Sequence, residues 1–239
     1  MRTLFLLCTT LFLSTSLLAQ GTYEDLLIIK ADGDWEKLIK KAEKYTLKNS
    51  TKKDPVPYYY LSYGLYKISF RADRDDAFKN AYKDAFTSIG KMLRYDKDGS
   101  VAEKYAEFVS ELKMSLLEII QNETENEEYR RAFGWTMRLY KFGRDYAPVY
   151  YLEGALRYRR GDKSTANNKW KDGDKLLKDA EITSWSKPDK KIFMLGLYQS
   201  ALALKEDRQT EKAQEIMNIG APYFEENETW SMYYDEIVN

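Results

Sequence analysis

Apolar residues recur along this chain at every third or fourth position, in runs long enough for helices, with polar breaks between the runs. Thr22 to Lys30 carries Leu26, Leu27 and Ile28. After the turn Ala31-Asp32-Gly33-Asp34, Asp34 stands at an N-cap position ahead of Trp35, Leu38, Ile39, Ala42 and Tyr45 on one helical face. Thr51 to Pro57 reads as a polar loop. Tyr58 to Phe70 follows, with a stripe at Leu61, Leu65 and Ile68 and with Tyr60, Tyr63 and Tyr66 beside it. Ala77 to Tyr95 sets the small residues Ala81, Ala85 and Ser88 on one face, and Gly99 breaks the chain after it. Val101 to Gln121 predicts a longer helix and Glu128 to Phe142 its partner, with Gly143 as the C-cap and Pro148 in the first turn of the next helix. Val149 to Arg160 and Ser164 to Ala180 flank Gly161-Asp162. Lys191 to Lys205 and Thr210 to Ile219 form the last full pair, which Gly220-Ala221-Pro222 is expected to end; Thr229 to Val238 predicts a short capping helix. The expected fold class is all-α. Only five Pro and 12 Gly in 239 residues argue against a sandwich or a disordered chain.

The beginning of the chain follows a different pattern. Arg2 precedes an apolar run from Leu4 to Leu18, and Ala19 stands before Gln20. This predicts a secretory signal peptide over residues 1–19, cleaved after Ala19, and a mature domain over residues 20–239 with no integral membrane span. The run is too short and poorly flanked for a membrane helix. Lipidation at Cys8 is disfavoured because Leu7 precedes it, where a small residue is needed, and because Cys8 lies inside the apolar run. Cys8 is the only cysteine, so the mature chain has no disulfide, thiolate ligand or cysteine nucleophile.

One stretch, Tyr150 to Lys178, contains a spacing that recurs. Gly154 is followed after 12 residues by Ala166, then by Trp170 four later and Gly173 three later. Small residues at Gly154 and Ala166 let two helices cross closely, and Trp170 fills the gap between consecutive helix pairs. Ala201, Ala213, Met217 and Gly220 repeat the same 12-4-3 spacing. Tyr60 and Gly64 with Ala81, Ala85 and Ser88, and Thr136, Tyr140 and Gly143, form weaker copies. This pattern resembles the tetratricopeptide repeat (TPR), a helix-turn-helix unit of about 34 residues, with Tyr150 where the family usually has Trp. The resemblance covers nearly all of the mature chain and implies an α-solenoid of about five helix-turn-helix pairs. An unrelated helical bundle is the alternative.

Candidate chemistry is sparse. His is absent, which excludes Ser-His-Asp and Cys-His triads and His-type zinc sites. No G-x-S-x-G, Walker A or G-x-G-x-x-G run occurs. The acidic turns at Asp32, Asp34 and Glu36 and at Asp96 and Asp98 lack the spacing of a calcium loop and read as turns and caps. The N-x-S/T triplets at Asn49, Asn122 and Asn227 read as chance in a polar chain. Lys+Arg and Asp+Glu are both 38, so no charge bias points to nucleic acid or anionic lipid. Carboxylates are plentiful enough that a carbohydrate-acting acid pair stays open.

The aromatic excess, 20 Tyr and five Trp, is the one feature pointing to a surface. In the TPR family the inner surface comes mostly from the first helix of each pair. Carried over residue by residue, this implies partner contacts at Tyr58, Leu61 and Leu65, at Tyr151, Ala155, Tyr158 and Arg159, and at Tyr198, Leu202 and Lys205. The basic carboxylate-clamp pattern of the peptide-binding members is not evident. The alternative is that these Tyr rings pack between helices with their hydroxyls at the rim. The reading that follows is a non-enzymatic protein-binding scaffold or adaptor of the bacterial cell envelope, most naturally periplasmic. It would need no cofactor or metal. Its partner would be a protein or peptide of an outer-membrane assembly, secretion or transport complex. A carbohydrate-binding protein with Trp/Tyr platforms, or a structural subunit of a homo-oligomer, remain the alternatives.

Overall fold

The computed structural model describes residues 23–239, so the expected signal peptide lies outside the described residues. These residues form twelve α-helices and two 3-10 turns, with no strand among them. None of the helices is long and apolar enough to cross a membrane. The chain divides into two compact units at Val101–Ala102.

The first unit contains α1 (Glu24–Asp32), α2 (Trp35–Leu47), α3 (Pro55–Ser69) and α4 (Ala81–Tyr95). Gly33, in the left-handed region at φ 71°, closes α1. The Asp34 side chain then caps α2 by accepting from the Lys37 N–H at 3.0 Å. Helix α3 starts at Pro55, earlier than the apolar stripe suggested. Asp54 accepts from the Val56 N–H, and Pro55 and Pro57 occupy the first turn, where no N–H is needed. Helix α4 starts later than expected, at Ala81, behind a 3-10 turn at Asp76–Phe78. Helix α3 lies between α2 and α4 and is buried on nearly every side.

The second unit follows α5 (Ser100–Lys104), in which the boundary falls. It contains α6 (Ala106–Glu125), α7 (Tyr129–Leu139), α8 (Pro148–Arg159), α9 (Lys163–Leu177), α10 (Lys187–Glu206), α11 (Thr210–Phe224) and α12 (Glu228–Val238), with a 3-10 turn at Ile182–Ser184. The single helix expected over Val101 to Gln121 is broken at Tyr105, whose φ is −114°, and resumes through Glu125. Gly143 does not cap α7, which closes at Tyr140. Nor does Gly220-Ala221-Pro222 end α11, and Pro222 lies inside the helix. Pro222 and Asn218, whose carbonyl loses its donor, are both exposed, so that carbonyl is not sealed away from solvent. Gly220 and Phe224 on the other side of the helix are buried, and that packing carries the helix through.

Helix α8 packs on α9 and α10, α10 on α11, α6 on α7 and α10, and α12 on α10 and α11. The positions of the 12-4-3 spacing are all buried: Gly154, Ala166, Trp170 and Gly173 in one copy, and Ala201, Ala213, Met217 and Gly220 in the other. The Trp170 indole lies directly over Gly154, where a Cβ would stand 2.3 Å from its Nε1. That Nε1 donates to Ser200 Oγ on α10 at 2.9 Å, and Ser200 Oγ donates to the Tyr151 carbonyl at 2.9 Å. Trp170 thus ties the α8/α9 pair to the next one.

Candidate functional site

Most of the tyrosines singled out in the sequence turn inward. Tyr58, Leu61 and Leu65 are buried in the first unit, and Tyr151, Ala155 and Tyr158 in the second. Their rings and side chains face neighbouring helices, and Tyr151 has no exposed surface at all. Their hydroxyls find carboxylates or carbonyls, as buried phenols must. Tyr151 donates to Asp174, Tyr158 to Asp207, and Tyr58 to the Lys52 carbonyl. The same device recurs at Tyr140–Glu153, Tyr146–Asp189, Tyr45–Asp25 and Tyr23–Asp54. Much of the tyrosine excess is therefore helix-to-helix fastening.

Arg159, Tyr198 and Lys205 behave differently: the fold gathers them at one half-buried place on the second unit. The Arg159 guanidinium forks onto Glu206 and lies 5.1 Å from the centre of the Tyr129 ring. Tyr198 stacks flat on Tyr233 of α12, with centroids 3.9 Å apart and planes within 7°, and donates to Glu236 at 2.8 Å. Lys205 donates to the Glu236 carbonyl. Burial pushes the Tyr198 phenol above its ordinary range, and the Glu236 carboxylate pushes it further. Burial also raises Tyr233, helped by Glu125 and Glu236. Leu202 is half-buried on the same helix as Tyr198.

Tyr233 also lines a cavity of about 250 Å³ walled by α6, α10 and the start of α12. Met114, Leu117, Met194 and Leu195 form its apolar lining. Glu118, Gln121, Lys191, Asn227 and Thr229 supply polar groups. Each wall is fixed locally. Asn227 caps α12 by accepting from the Trp230 N–H at 3.1 Å, and Ser186 caps α10 through the Asp189 N–H. On α6 the lining residues 114, 117, 118 and 121 share one face by helical spacing. Such a hollow, apolar within and polar around, suits a bulky apolar side chain or a short segment. None of its residues was singled out from the sequence. The signal was present as Met114 and Gln121 at helical spacing among glutamates, but it resembled an ordinary solvated face.

A second cavity in the same unit, of about 300 Å³, is lined by Asp145, Asp179 and Asp189 with Tyr146 and Trp185. Asp189 is already held by Lys113 at 2.7 Å, by Tyr146 and by Ser186. Asp145 and Asp179 are exposed and Trp185 is half-buried. Among the described residues no group of three or more His, Cys, Asp or Glu is placed to hold a metal ion. The acidic turns serve as caps, Asp34 for α2 and Asp98 for the Ser100 N–H. Comparison with protein-family models, curated proteins and solved structures finds no match.

Proposed function

We propose that this chain is an exported, non-enzymatic scaffold or adaptor of the bacterial cell envelope, TPR-like in build, that holds a partner protein or peptide on the second unit. The docking face is the one walled by α6, α10 and α12. The observation that carries this reading is the cavity with its Met and Leu lining and polar surround, next to the Tyr198–Tyr233 stack. Methionines suit a binding hollow because their flexible, polarisable side chains adapt to differing partners. The buried 12-4-3 positions support the α-solenoid of helix pairs, and the Leu4 to Leu18 run followed by Ala19 supports export to the periplasm.

The test is photo-crosslinking in cells, with a benzophenone side chain placed at Gln121 or Thr229 and, as control, at Lys212 on α11. A discrete adduct from the first two positions and not from the control is expected. Identical patterns from all three would remove the docking face. N-terminal sequencing of the protein recovered from the periplasm should begin at Gln20.

One observation favours a second reading, carbohydrate binding: the half-buried Trp185 beside Asp145 and Asp179 in the second cavity. Aromatic platforms next to carboxylates suit sugar rings. Tryptophan fluorescence that responds to envelope glycans in the wild type and not in Trp185→Leu would establish it; an unchanged spectrum would dismiss it.

A further inference from the structure

Beyond Lys212 the sequence contains no Lys or Arg, while Glu215, Glu225, Glu226, Glu228, Asp235 and Glu236 follow, in a chain with 38 charges of each sign. This stretch forms most of α11 and all of α12. A cavity of about 400 Å³ lies where the two helices meet. Pro222 and Glu225 line it from the end of α11, and Trp230, Ser231, Tyr234 and Asp235 line it from α12. It opens on a different face of α12 from Thr229 and Tyr233, which wall the hollow beside α6. The Trp230 indole is fixed in the notch at Gly220, where a Cβ would stand 2.4 Å from its Cη2. Tyr234 is half-buried and donates to Asn218 Oδ1 at 2.8 Å, so Asn218 stands beside the cavity. The exposed Asn218 keeps a carbonyl with no helical donor, because Pro222 has no N–H. Glu225 and Asp235 are exposed, and neither forms an ion pair among the described residues; the Asp235 carboxylate accepts only from Asn239 Nδ2, at 3.0 Å. No cation lines this cavity. Lys187, Lys190 and Lys191 border a separate one with Tyr223 and Glu226, and Lys205 is held at the Glu236 carbonyl.

Independently of the docking face proposed above, we infer that this cavity is a second docking site, which takes an arginine side chain from an exposed segment of a partner protein. The lining offers two carboxylates, a hydroxyl and aromatic surface, with the Asn218 carbonyl beside them, and nothing of positive charge. A guanidinium matches that set. Its planar fork carries several N–H donors at once, enough to serve both carboxylates and a carbonyl, and it stacks on aromatic rings such as Tyr234. Its apolar stem suits the surface of Pro222 and Trp230. A lysine ammonium presents a compact point charge without the fork or the stacking plane. An anionic segment would meet two unpaired carboxylates, and an uncharged one would desolvate them without supplying a counter-charge.

The test uses fluorescein-labelled Ser/Gly peptides with a central Leu-Arg-Leu, Leu-Lys-Leu or Leu-citrulline-Leu; citrulline keeps the shape of arginine and removes its charge. Binding to the purified protein is read by fluorescence anisotropy. The Arg peptide should bind at least about tenfold more tightly than the citrulline peptide, as expected for charge-assisted hydrogen bonds, with the Lys peptide between them. The double substitution Glu225→Gln with Asp235→Asn, at exposed positions that leave the core intact, should remove the advantage of arginine. Glu211→Gln with Glu215→Gln takes the same charge from the exposed far end of α11 and should leave it within about twofold, because salt screens charges that far away. Equal losses in the two double variants would overturn the site, since the peptide would then be held by the general charge of the region. Equal binding of the Arg and Lys peptides would overturn the guanidinium, and binding of no peptide would overturn the inference altogether. A self-associated protein that Glu225→Gln with Asp235→Asn dissociates would also overturn it, making a second copy of this chain the occupant. Crosslinking from Gln121 in cells, unchanged in that variant, would show the docking face beside α6 standing whichever way this test falls.

Discussion

Helices α3 and α8 are built alike, yet they are locked in different ways. Each opens with proline in its first turn, each carries tyrosines and an internal glycine, and each is buried on nearly every side. In α3 the notch at Gly64 is filled by the helix before it, where a Cβ would stand 2.9 Å from Ile39 Cγ1. In α8 the notch at Gly154 is filled by the helix after it, through the Trp170 indole. Their buried polar groups differ as well. Helix α3 buries Ser62, which donates to the Ala85 carbonyl at 2.8 Å. Helix α8 buries Glu153, held by Arg157 at 2.7 Å, by Lys169 at 3.0 Å and by the Tyr140 hydroxyl. The central helix of the first unit is thus keyed by an aliphatic side chain and a neutral buried group, and that of the second by an indole and a buried charge.

The largest difference should appear when the buried polar groups are removed. Glu153→Ala removes the buried carboxylate that Arg157 and Lys169 share, although both cations stay about a quarter exposed and Arg157 keeps Asp162. Its cost should be about 2–3 kcal/mol, below the roughly 3–5 kcal/mol of a fully buried pair broken from one side, because solvent reaches both cations. Ser62→Ala removes a single neutral hydrogen bond to a carbonyl and should cost about 1 kcal/mol. Urea unfolding of the two variants measures both values. Similar losses from the two substitutions would erase the contrast.

The glycines come next. Alanine at Gly154 must displace a rigid indole that is pinned by Ser200, and the overpacking should cost about 2–3 kcal/mol. Alanine at Gly64 meets the Cγ1 of buried Ile39 at 2.9 Å, a milder overlap than the 2.3 Å at Gly154. A shift of a few tenths of an ångström relieves the contact, and the helical preference of Ala over Gly, about 1 kcal/mol, offsets most of the strain. The net change at Gly64 should be under about 1 kcal/mol. Shrinking the obstacle, in Gly154→Ala with Trp170→Leu, should give less than the sum of the two single losses, because the sites are in direct contact.

These contrasts mark where the sequence stopped being informative. Helical spacing located every helix except α5, which it merged with α6, because a 3.6-residue period is imposed by each segment on itself. It misplaced ends at Pro55, Ala81 and Pro222, where caps or burial on the far side of a helix decide the outcome. The 12-4-3 spacing found residues that must be small or must fill gaps. It could not say which neighbour fills the notch at Gly64, because that depends on which of the two flanking helices packs against that face. Tyrosine counting overestimated the surface for a related reason. A tyrosine on a helix reads the same whether its hydroxyl meets water or, as at Tyr151, the Asp174 carboxylate from a facing helix. The hollow around Met114 and Met194 was hidden because those two residues are about 80 positions apart in the chain and only the packing of α6, α10 and α12 creates it.

The smallest expected effect concerns a motif that both units share, a tyrosine and a lysine converging on one aspartate. In the first unit Asp25 accepts from Tyr45 at 2.8 Å and pairs with Lys41 at 3.1 Å. Burial works to raise that carboxyl, and the hydrogen bonds from Tyr45, Lys41 and the Leu26 N–H outweigh it, so the net shift is downward. In the second unit Asp207 pairs with Lys163 at 2.8 Å and accepts from Tyr158 and Gln209, and it is lowered from 3.8 to about 2. A carboxyl depressed in the folded state stabilises the fold fully above its unfolded value and loses that contribution as pH falls through the folded one. The Asp207 contribution should therefore persist at neutral pH and disappear between about pH 4 and pH 2. Both carboxylates are more than a third exposed, so solvent screening keeps each effect small. Urea midpoints measured from pH 7 down to pH 2.5 should fall less steeply in Asp207→Asn than in the wild type, because the substituted side chain has no proton to take up. Asp25→Asn should flatten the acid limb by a smaller amount. An acid limb unchanged by Asp207→Asn would mean that the contacts of Asp207 with Lys163, Tyr158 and Gln209 add nothing to the second unit's stability, leaving the Tyr158 ring, stacked on Trp170 with centroids 5.5 Å apart, as what holds that corner.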